Sequence, residues 1–286
     1  MLQHKTSPLR EILRYGLIAL VVLFFAFPVF WMVLTSFKPE EAIMVSPPQF
    51  LFTPTLENYA HTLQDKNFLF FVKNSLIVSI ISTAIVIAVG SLAAYSFARY
   101  NVGDGHILFF ILSTKMMPAI AVILPYFLIF RDLGRTAVGE TLQLGLDQYG
   151  SLIVTYVMFN LPFAIWLLVS FFQDIPRELE QSARLDGLNR LQVLRRVTFP
   201  LAAPGIAVTA VFTLIFSWNE YLFASILTRK AASTVTVGVE SFFTLQGILW
   251  GPVAAAATIS VVPMLIFVLS MQRYMVRGLT FGAVRG

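Results

Sequence analysis

No cysteine occurs in the 286 residues. Its absence removes disulfide frameworks, thiolate zinc sites, iron–sulfur ligation and cysteine nucleophiles together, and leaves the redox compartment undetermined. Histidine is scarce: His4, His61 and His106 are the three present, too scattered to suggest a metal or proton-relay cluster, and each reads as a surface residue. Charge is scarce too, with Asp, Glu, Lys and Arg at 12% of the chain against about 25% in a soluble domain. At 57% hydrophobic residues and a mean hydropathy of +0.78, the chain cannot cover its apolar surface against water, so lipid is part of its solvent. No paired-carboxylate motif, nucleophile elbow or Gly-rich phosphate loop appears, so neither a catalytic nor a metal site is expected. The net charge of +5 and pI near 9.6 read as the loop charges that orient a membrane protein, and no nucleic-acid partner is expected.

Six apolar runs approach the roughly 20 residues that cross the hydrocarbon: 15–37, 75–97, 107–130, 152–172, 202–227 and 252–272. The first follows Lys5, Arg10 and Arg14, but it is too long for a signal-peptide core and lacks a small-residue cleavage pattern, so it is expected to stay as an anchor. Basic residues concentrate in alternate connections, namely the N-terminal tail, Arg99, the fourth connection (Arg177, Arg184, Arg190, Arg195, Arg196) and the tail with Arg273, Arg277 and Arg285. The other side, with Lys38, Lys66, Lys73, Arg131, Arg135, Arg229 and Lys230, carries fewer, which places both termini in the cytoplasm. Pro28, Pro118, Pro125, Pro162 and Pro263 fall within the runs, each removing a backbone donor. Gly90, Ala93, Ala94 and Ala254–Ala257 allow close helix approach. A single membrane domain over 1–286 is expected: 1–73 as tail, first helix and outer segment, 74–272 as core helices, and 273–286 as cytoplasmic tail.

The fourth connection, 173–200, reads as two short helices. Asp174 and Pro176 signal a start, Asp186-Gly187 a stop, Asn189 a fresh cap and Pro200 an end. Leu179 with Ala183, then Leu191, Leu194 and Val197, recur at helical spacing. The first helix, at ~16 Å, is too short and polar to span and is shaped to present a face to a cytoplasmic partner. Two ionisable residues lie inside the runs. Lys115, ~12 Å deep, suits the bundle interior. Glu220, ~27 Å along its helix, fits either a pathway role or an interfacial position, and a direct pair between the two is not expected. Asn160 and Asn219 can bond between helices or to a sugar hydroxyl.

The loop resembles that of the inner-membrane permease subunits of ATP-binding-cassette importers, in their carbohydrate, maltose-transporter branch. That family's Glu-Ala-Ala, three residues, Gly, nine residues, Ile-x-Leu-Pro is matched in spacing by Gln181-Ser182-Ala183, Asp186-Gly187 and Val197-Thr198-Phe199-Pro200. Ser217-Trp218-Asn219-Glu220-Tyr221, Leu249-Trp250-Gly251 and the segment from Gln272 to Thr280 extend the likeness over about 51–286. The resemblance implies an all-α, polytopic helix bundle of six transmembrane helices with the type I importer permease (MetI-like) fold. It further implies a subunit that is not itself an enzyme and that moves a neutral sugar or sugar alcohol across the bacterial inner membrane. Glu178, Gln181, Ser182, Ala183, Asp186 and Gly187 would dock on an ATPase, and Lys115, Asn160, Asn219 and Glu220 would line the substrate path. The loop 228–250, through Phe242, Phe243, Gln246 and Gly247, would meet an extracytoplasmic solute-binding protein or else pack on the bundle. Implied partners are a second homologous permease, two ATPase subunits and that binding protein. The chain lacks a Walker-type loop, so ATP and magnesium would be bound by the ATPases, and no cofactor is expected here. A secondary transporter or channel subunit is the alternative, and it leaves the docking-type loop unexplained.

Overall fold

The computed structural model describes residues 8–100 and 102–281. The helices are α1 (Pro8–Ser36), α2 (Glu57–Ala60), α3 (Phe68–Tyr100), α4 (His106–Thr114), α5 (Ala119–Leu133), α6 (Ala137–Thr141), α7 (Tyr149–Gln173), α8 (Arg177–Leu185), α9 (Arg190–Val193), α10 (Phe199–Trp218), α11 (Leu222–Leu227), α12 (Val235–Glu240) and α13 (Trp250–Phe281). One two-residue hairpin, β1 (Phe243–Thr244) with β2 (Gly247–Ile248), precedes α13. Five helical segments are long and apolar enough to cross a membrane, or six if the bent pair α4 and α5 counts as one. That pair bends by 82°. Pro118, the N-cap of α5, lacks an amide donor and disfavours helix in the residue before it. The chain therefore tightens into three-residue turns, with Lys115, Met116 and Met117 donating to Leu112, Ser113 and Thr114. The third run expected from sequence is thus a broken helix, with Lys115 at the break.

Two compact units are distinguishable. The first comprises residues up to Phe68 together with Ser241–Val261. Its α1 buries none of its apolar window in the chain. Where α1 ends, the Asn58 side-chain amide donates to the carbonyls of Ser36 (3.0 Å) and Lys38 (2.8 Å), and the Lys38 ammonium lies 4.3 Å from the Trp31 ring centroid. Thr62 Oγ1 donates to the Pro252 carbonyl at 3.3 Å. A Cβ at Gly251 would collide with the Asn58 amide, which accounts physically for glycine in Leu249-Trp250-Gly251.

The second unit, Leu69–Glu240 with residues from Val262 onward, is a helix bundle. Its α7 and α10 approach so closely that a Cβ on Gly205 would enter the Phe171 ring. Two apolar clusters hold it. Ala94, Tyr95, Ala98, Leu168, Val169 and Phe172 belong to one, and Val78, Phe130, Leu152, Tyr156, Phe223 and Leu227 to the other. Further polar ties reinforce the packing: Asn74 Nδ2 donates to the carbonyls of Ala231 and Ser233, and Tyr149 OH to Asn74 Oδ1.

The helix α13 continues through Phe281, so most of the tail expected over 273–286 is helical. Lys5 and Arg285 lie outside the described residues.

Asp147, at φ +60°, ties the loop before α7 to the loop after α11. Its carboxylate accepts backbone N–H bonds from Arg229, Lys230, Ala231 and Ala232 at 2.9–3.1 Å. Partial burial would push its pKa up, but those four donors outweigh it and hold the carboxyl below its ordinary value. A depressed pKa contributes stability that is present above the unfolded-state value and is lost as pH falls through the folded value. Asp147→Ala is therefore expected to lower the detergent-solubilised protein's unfolding free energy by about 2–3 kcal/mol. The loss should be full at pH 7 and shrink as pH falls below the ordinary carboxylate range, read by thermal melts across that range. A constant difference across that range would remove the charge-based explanation.

Candidate functional site

The loop from α7 to α10 is built from local signals that the sequence carries openly. Asp174 caps the end of α7 instead of starting α8, and Pro176 is the N-cap of α8. At the other end, Gly187 N–H donates to the Arg184 carbonyl (3.0 Å) and Leu188 N–H to the Ala183 carbonyl (3.1 Å). This crossed pair of bonds closes the helix around a left-handed residue, and Gly187 has φ +89°. Asn189 then opens α9 with a capping box, its side chain accepting from Gln192 N–H while the Gln192 side chain accepts from Asn189 N–H.

Pro200 does not end this second helix. A wide turn over Leu194–Thr198 carries α9 directly into α10, and Pro200 falls in the first turn of α10, where an amide donor is dispensable. The buried residues of this stretch are Val193, Leu194 and Thr198. Leu191, expected on the apolar face, is exposed, because the wide turn rotates the faces relative to a regular helix.

On α8, which has nine residues, only Glu180 and Ala183 are buried. Glu178, Gln181, Ser182, Asp186 and Gly187 are exposed, as are Leu179 and Leu185, the latter 88% accessible. Of the six expected docking residues, Ala183 alone faces inward. The outward face thus combines two leucines with acidic, amide and hydroxyl groups.

Glu180 was not singled out from the sequence. Its carboxylate receives Arg99 Nε (2.8 Å), Tyr95 OH (3.0 Å) and Thr198 Oγ1 (3.1 Å). The Tyr95 to Arg99 spacing, four residues apart on one helix face, was the available signal.

A second feature brings together all four residues expected along a path. Lys115, Asn160, Asn219 and Glu220 line a cavity of about 370 Å³ with Ala119, Tyr156, Phe159, Phe216 and Phe223. Lys115 stands at the bend before Pro118 and Glu220 just beyond the end of α10, and although they line the same cavity each is bonded to the backbone and not to the other.

Each of the four expected path residues has a hydrogen-bond partner. Lys115 Nζ donates to the Phe159 carbonyl (2.9 Å) and lies 5.8 and 5.7 Å from the Phe159 and Phe216 ring centroids. Glu220 accepts from Phe223 and Ala224 N–H (2.8 and 3.1 Å), capping α11. Asn160 Nδ2 donates to Ser217 Oγ (3.1 Å), joining α7 to α10, and Asn219 Nδ2 to the Ile215 carbonyl (2.8 Å). Tyr156, Phe159, Phe216 and Phe223 escaped the sequence reading, since nothing in their neighbours marks them off from ordinary core aromatics.

The hairpin, in the first unit, pairs Phe243 with Ile248 and Thr244 with Gly247. Phe242 is fully buried, its ring 6.1 Å from that of His61 and 6.2 Å from that of Phe68, so it anchors the hairpin and is closed to a partner. Phe243, Gln246 and Gly247 are exposed, with Leu245 fully so at the tip. Among the described residues no group of three or more His, Cys, Asp or Glu could hold a metal ion.

Residues 86–281 match the family model described as "Binding-protein-dependent transport system inner membrane component". A probable ABC transporter permease of Sinorhizobium fredii is 38% identical over 261 residues, 91% of each chain. A trehalose/maltose transport system permease of Thermococcus litoralis is 35% identical over 266 residues, again 91% of each. A solved bacterial ABC transporter involved in import of the acidic polysaccharide alginate contains a chain that superposes with a TM-score of 0.72 at 22% identity, covering 96% of this chain and 99% of that one.

Proposed function

The chain belongs to the family of binding-protein-dependent transport system inner membrane components and is a permease subunit of an ATP-binding-cassette importer; on that premise we propose that its cargo is a neutral sugar or sugar alcohol and that α8 is the element through which partner ATPases drive transport. It is a multi-pass inner-membrane protein, and ATP hydrolysis belongs to separate subunits. Its partners are a second permease, two ATPases and a solute-binding protein.

The observation that carries the mechanism is α8 itself. It is a short, mostly exposed helix, closed at Gly187 and followed by one continuous helical path from Arg190 to Trp218. A push on α8 therefore has a direct mechanical route into the span containing α10. Glu178, Gln181, Ser182, Asp186 and Gly187 form the docking face with Leu179 and Leu185, while Ala183 fixes the helix from beneath. Both termini are assigned to the cytoplasmic side with α8, where the basic residues of the alternate connections collect.

The cavity at the break between α4 and α5 is assigned to the cargo path. Its two formal charges, on Lys115 and Glu220, cancel, so this half offers no net trap for an ion. Its aromatic faces suit the C–H faces of a sugar ring, with amides for hydroxyls. Neutral sugars as cargo agree with the relative from T. litoralis, whose name specifies trehalose and maltose. The exposed hairpin residues Phe243, Gln246 and Gly247 are assigned to the binding protein. The cargo assignment is tested by ATP hydrolysis of the assembled importer in the presence of its binding protein and a panel of solutes. Stimulation by disaccharides or polyols is expected; stimulation by amino acids or phosphate and not by sugars would overturn it.

A further inference from the structure

The Glu180 carboxylate is the one charged group of α8 that is buried, and almost completely so. Around it meet three donors from two separate parts of the chain. From α3 come Tyr95 OH, bound to Oε2, and Arg99 Nε, bound to Oε1. From the wide turn that leads into α10 comes Thr198 Oγ1, also on Oε1. Arg99 extends the tie, its Nη2 donating to the Ile175 carbonyl (2.9 Å) just before α8, and Arg177 Nη2 reaches back to the Ala98 carbonyl at 3.4 Å. Tyr95 is 7% accessible, Thr198 is fully buried, and the Arg99 side chain is 6% accessible.

A buried ion pair adds little net stability over an apolar contact of the same shape, but it fixes geometry strongly, because any displacement leaves a charge without its partners. Apolar contacts under α8, such as those of Ala183, would let the helix slide or roll on the bundle at small cost. The carboxylate, held by three donors from two helical paths, does not.

We propose that Glu180 is a positioning residue that clamps the docking helix simultaneously to α3 and to α10, so that movement of α8 is delivered to both membrane helices as a rigid-body displacement. This rests on α8 being the ATPase-docking element. It adds that coupling runs through a buried charge node and not only through the covalent connection at Gly187. Loosening the node would leave docking and hydrolysis intact while the stroke is dissipated in local rotation of α8.

The test uses the complete importer, with both permeases, ATPases and binding protein, in proteoliposomes. Tyr95→Phe and Thr198→Val each remove one hydroxyl with little change of shape, and Glu180→Gln removes the charge. Co-purification of the ATPase should stay at the wild-type level for all three. Cargo transported per ATP hydrolysed should fall about tenfold for Glu180→Gln, as expected for loss of hydrogen bonds to a charged group, and less for the single-hydroxyl variants. Thr198→Ser should restore the wild-type ratio. Because the chain has no cysteine, nitroxides at the exposed Arg184→Cys and Arg196→Cys report the rigidity of α8 directly. Their distance distribution should be narrow in the otherwise wild-type chain and broad when Glu180→Gln is added. If Glu180→Gln does not assemble, Tyr95→Phe combined with Thr198→Val gives the same readouts. Unchanged transport per ATP and an unchanged distribution in variants that still bind the ATPase would overturn the clamp alone. Failure of the wild-type chain to bind an ATPase through this loop would overturn the docking assignment instead.

Discussion

Gly187→Val is expected to leave the protein inserted and abundant while ATPase co-purification and cargo-stimulated hydrolysis fall together by roughly 5- to 30-fold, the equivalent of 1–2 kcal/mol. Space is not the obstacle, since nothing lies within 4 Å of where a Cβ would stand. The backbone is. At φ +89° a β-branched residue is strongly disfavoured, so valine would unwind the crossed bonds from Gly187 and Leu188 to Arg184 and Ala183. The end of α8 would fray and its angle to the following helix would be lost. The apolar clusters of the bundle do not include Gly187, so insertion should be spared. Gly187→Asn, which tolerates left-handed geometry better, should retain more coupling than valine. Gln181→Glu, on the exposed face, should be tolerated. Equal ATPase association for wild type and Gly187→Val would show that this turn is not part of the coupling path.

Shortening the hairpin by removing residues 243–248 is expected to reduce binding-protein-stimulated hydrolysis and uptake by roughly tenfold or more, the scale at which exposed apolar anchors act in interfaces. Assembly with the second permease and the ATPases should be unchanged. The hairpin exposes Phe243, Leu245 and Ile248 together, an apolar patch of the kind that marks a contact surface. Phe242 is spared in the deletion because its ring is packed near His61 and Phe68. Phe242→Ala should instead lower the amount of folded protein, which separates anchoring from contact. Full stimulation by the binding protein after the deletion would remove the hairpin from the interface.

What the sequence made legible is what neighbouring residues determine. Long apolar runs located the helices, and Gly187, Asn189 and Pro176 marked the turns of the loop because caps and left-handed positions act within four residues. Pro118 was visible as an interruption, but the 82° bend depends on what the two halves pack against. The clamp was invisible for the same reason: Arg99 and Glu180 are 81 residues apart, and Arg99 in isolation counted only as a basic loop residue. Lys115 and Glu220 line one cavity because each stands at a helix break, at Pro118 and at the end of α10, which rise per residue along straight helices does not represent. Phe242 and Phe243 are neighbours in sequence, yet one is buried beside His61 and Phe68, far upstream, and the other is exposed.

The most direct measurement is uptake of labelled disaccharide by sealed proteoliposomes. The chain would be reconstituted either alone or with its second permease, ATPases and binding protein, with ATP on the ATPase side and no ion gradient. Concentrative uptake that requires every partner and ATP is the expected result. Concentrative uptake by the chain alone, or uptake driven by a proton or sodium gradient without ATPase subunits, would contradict the assignment of this protein as the permease half of an ATP-driven importer.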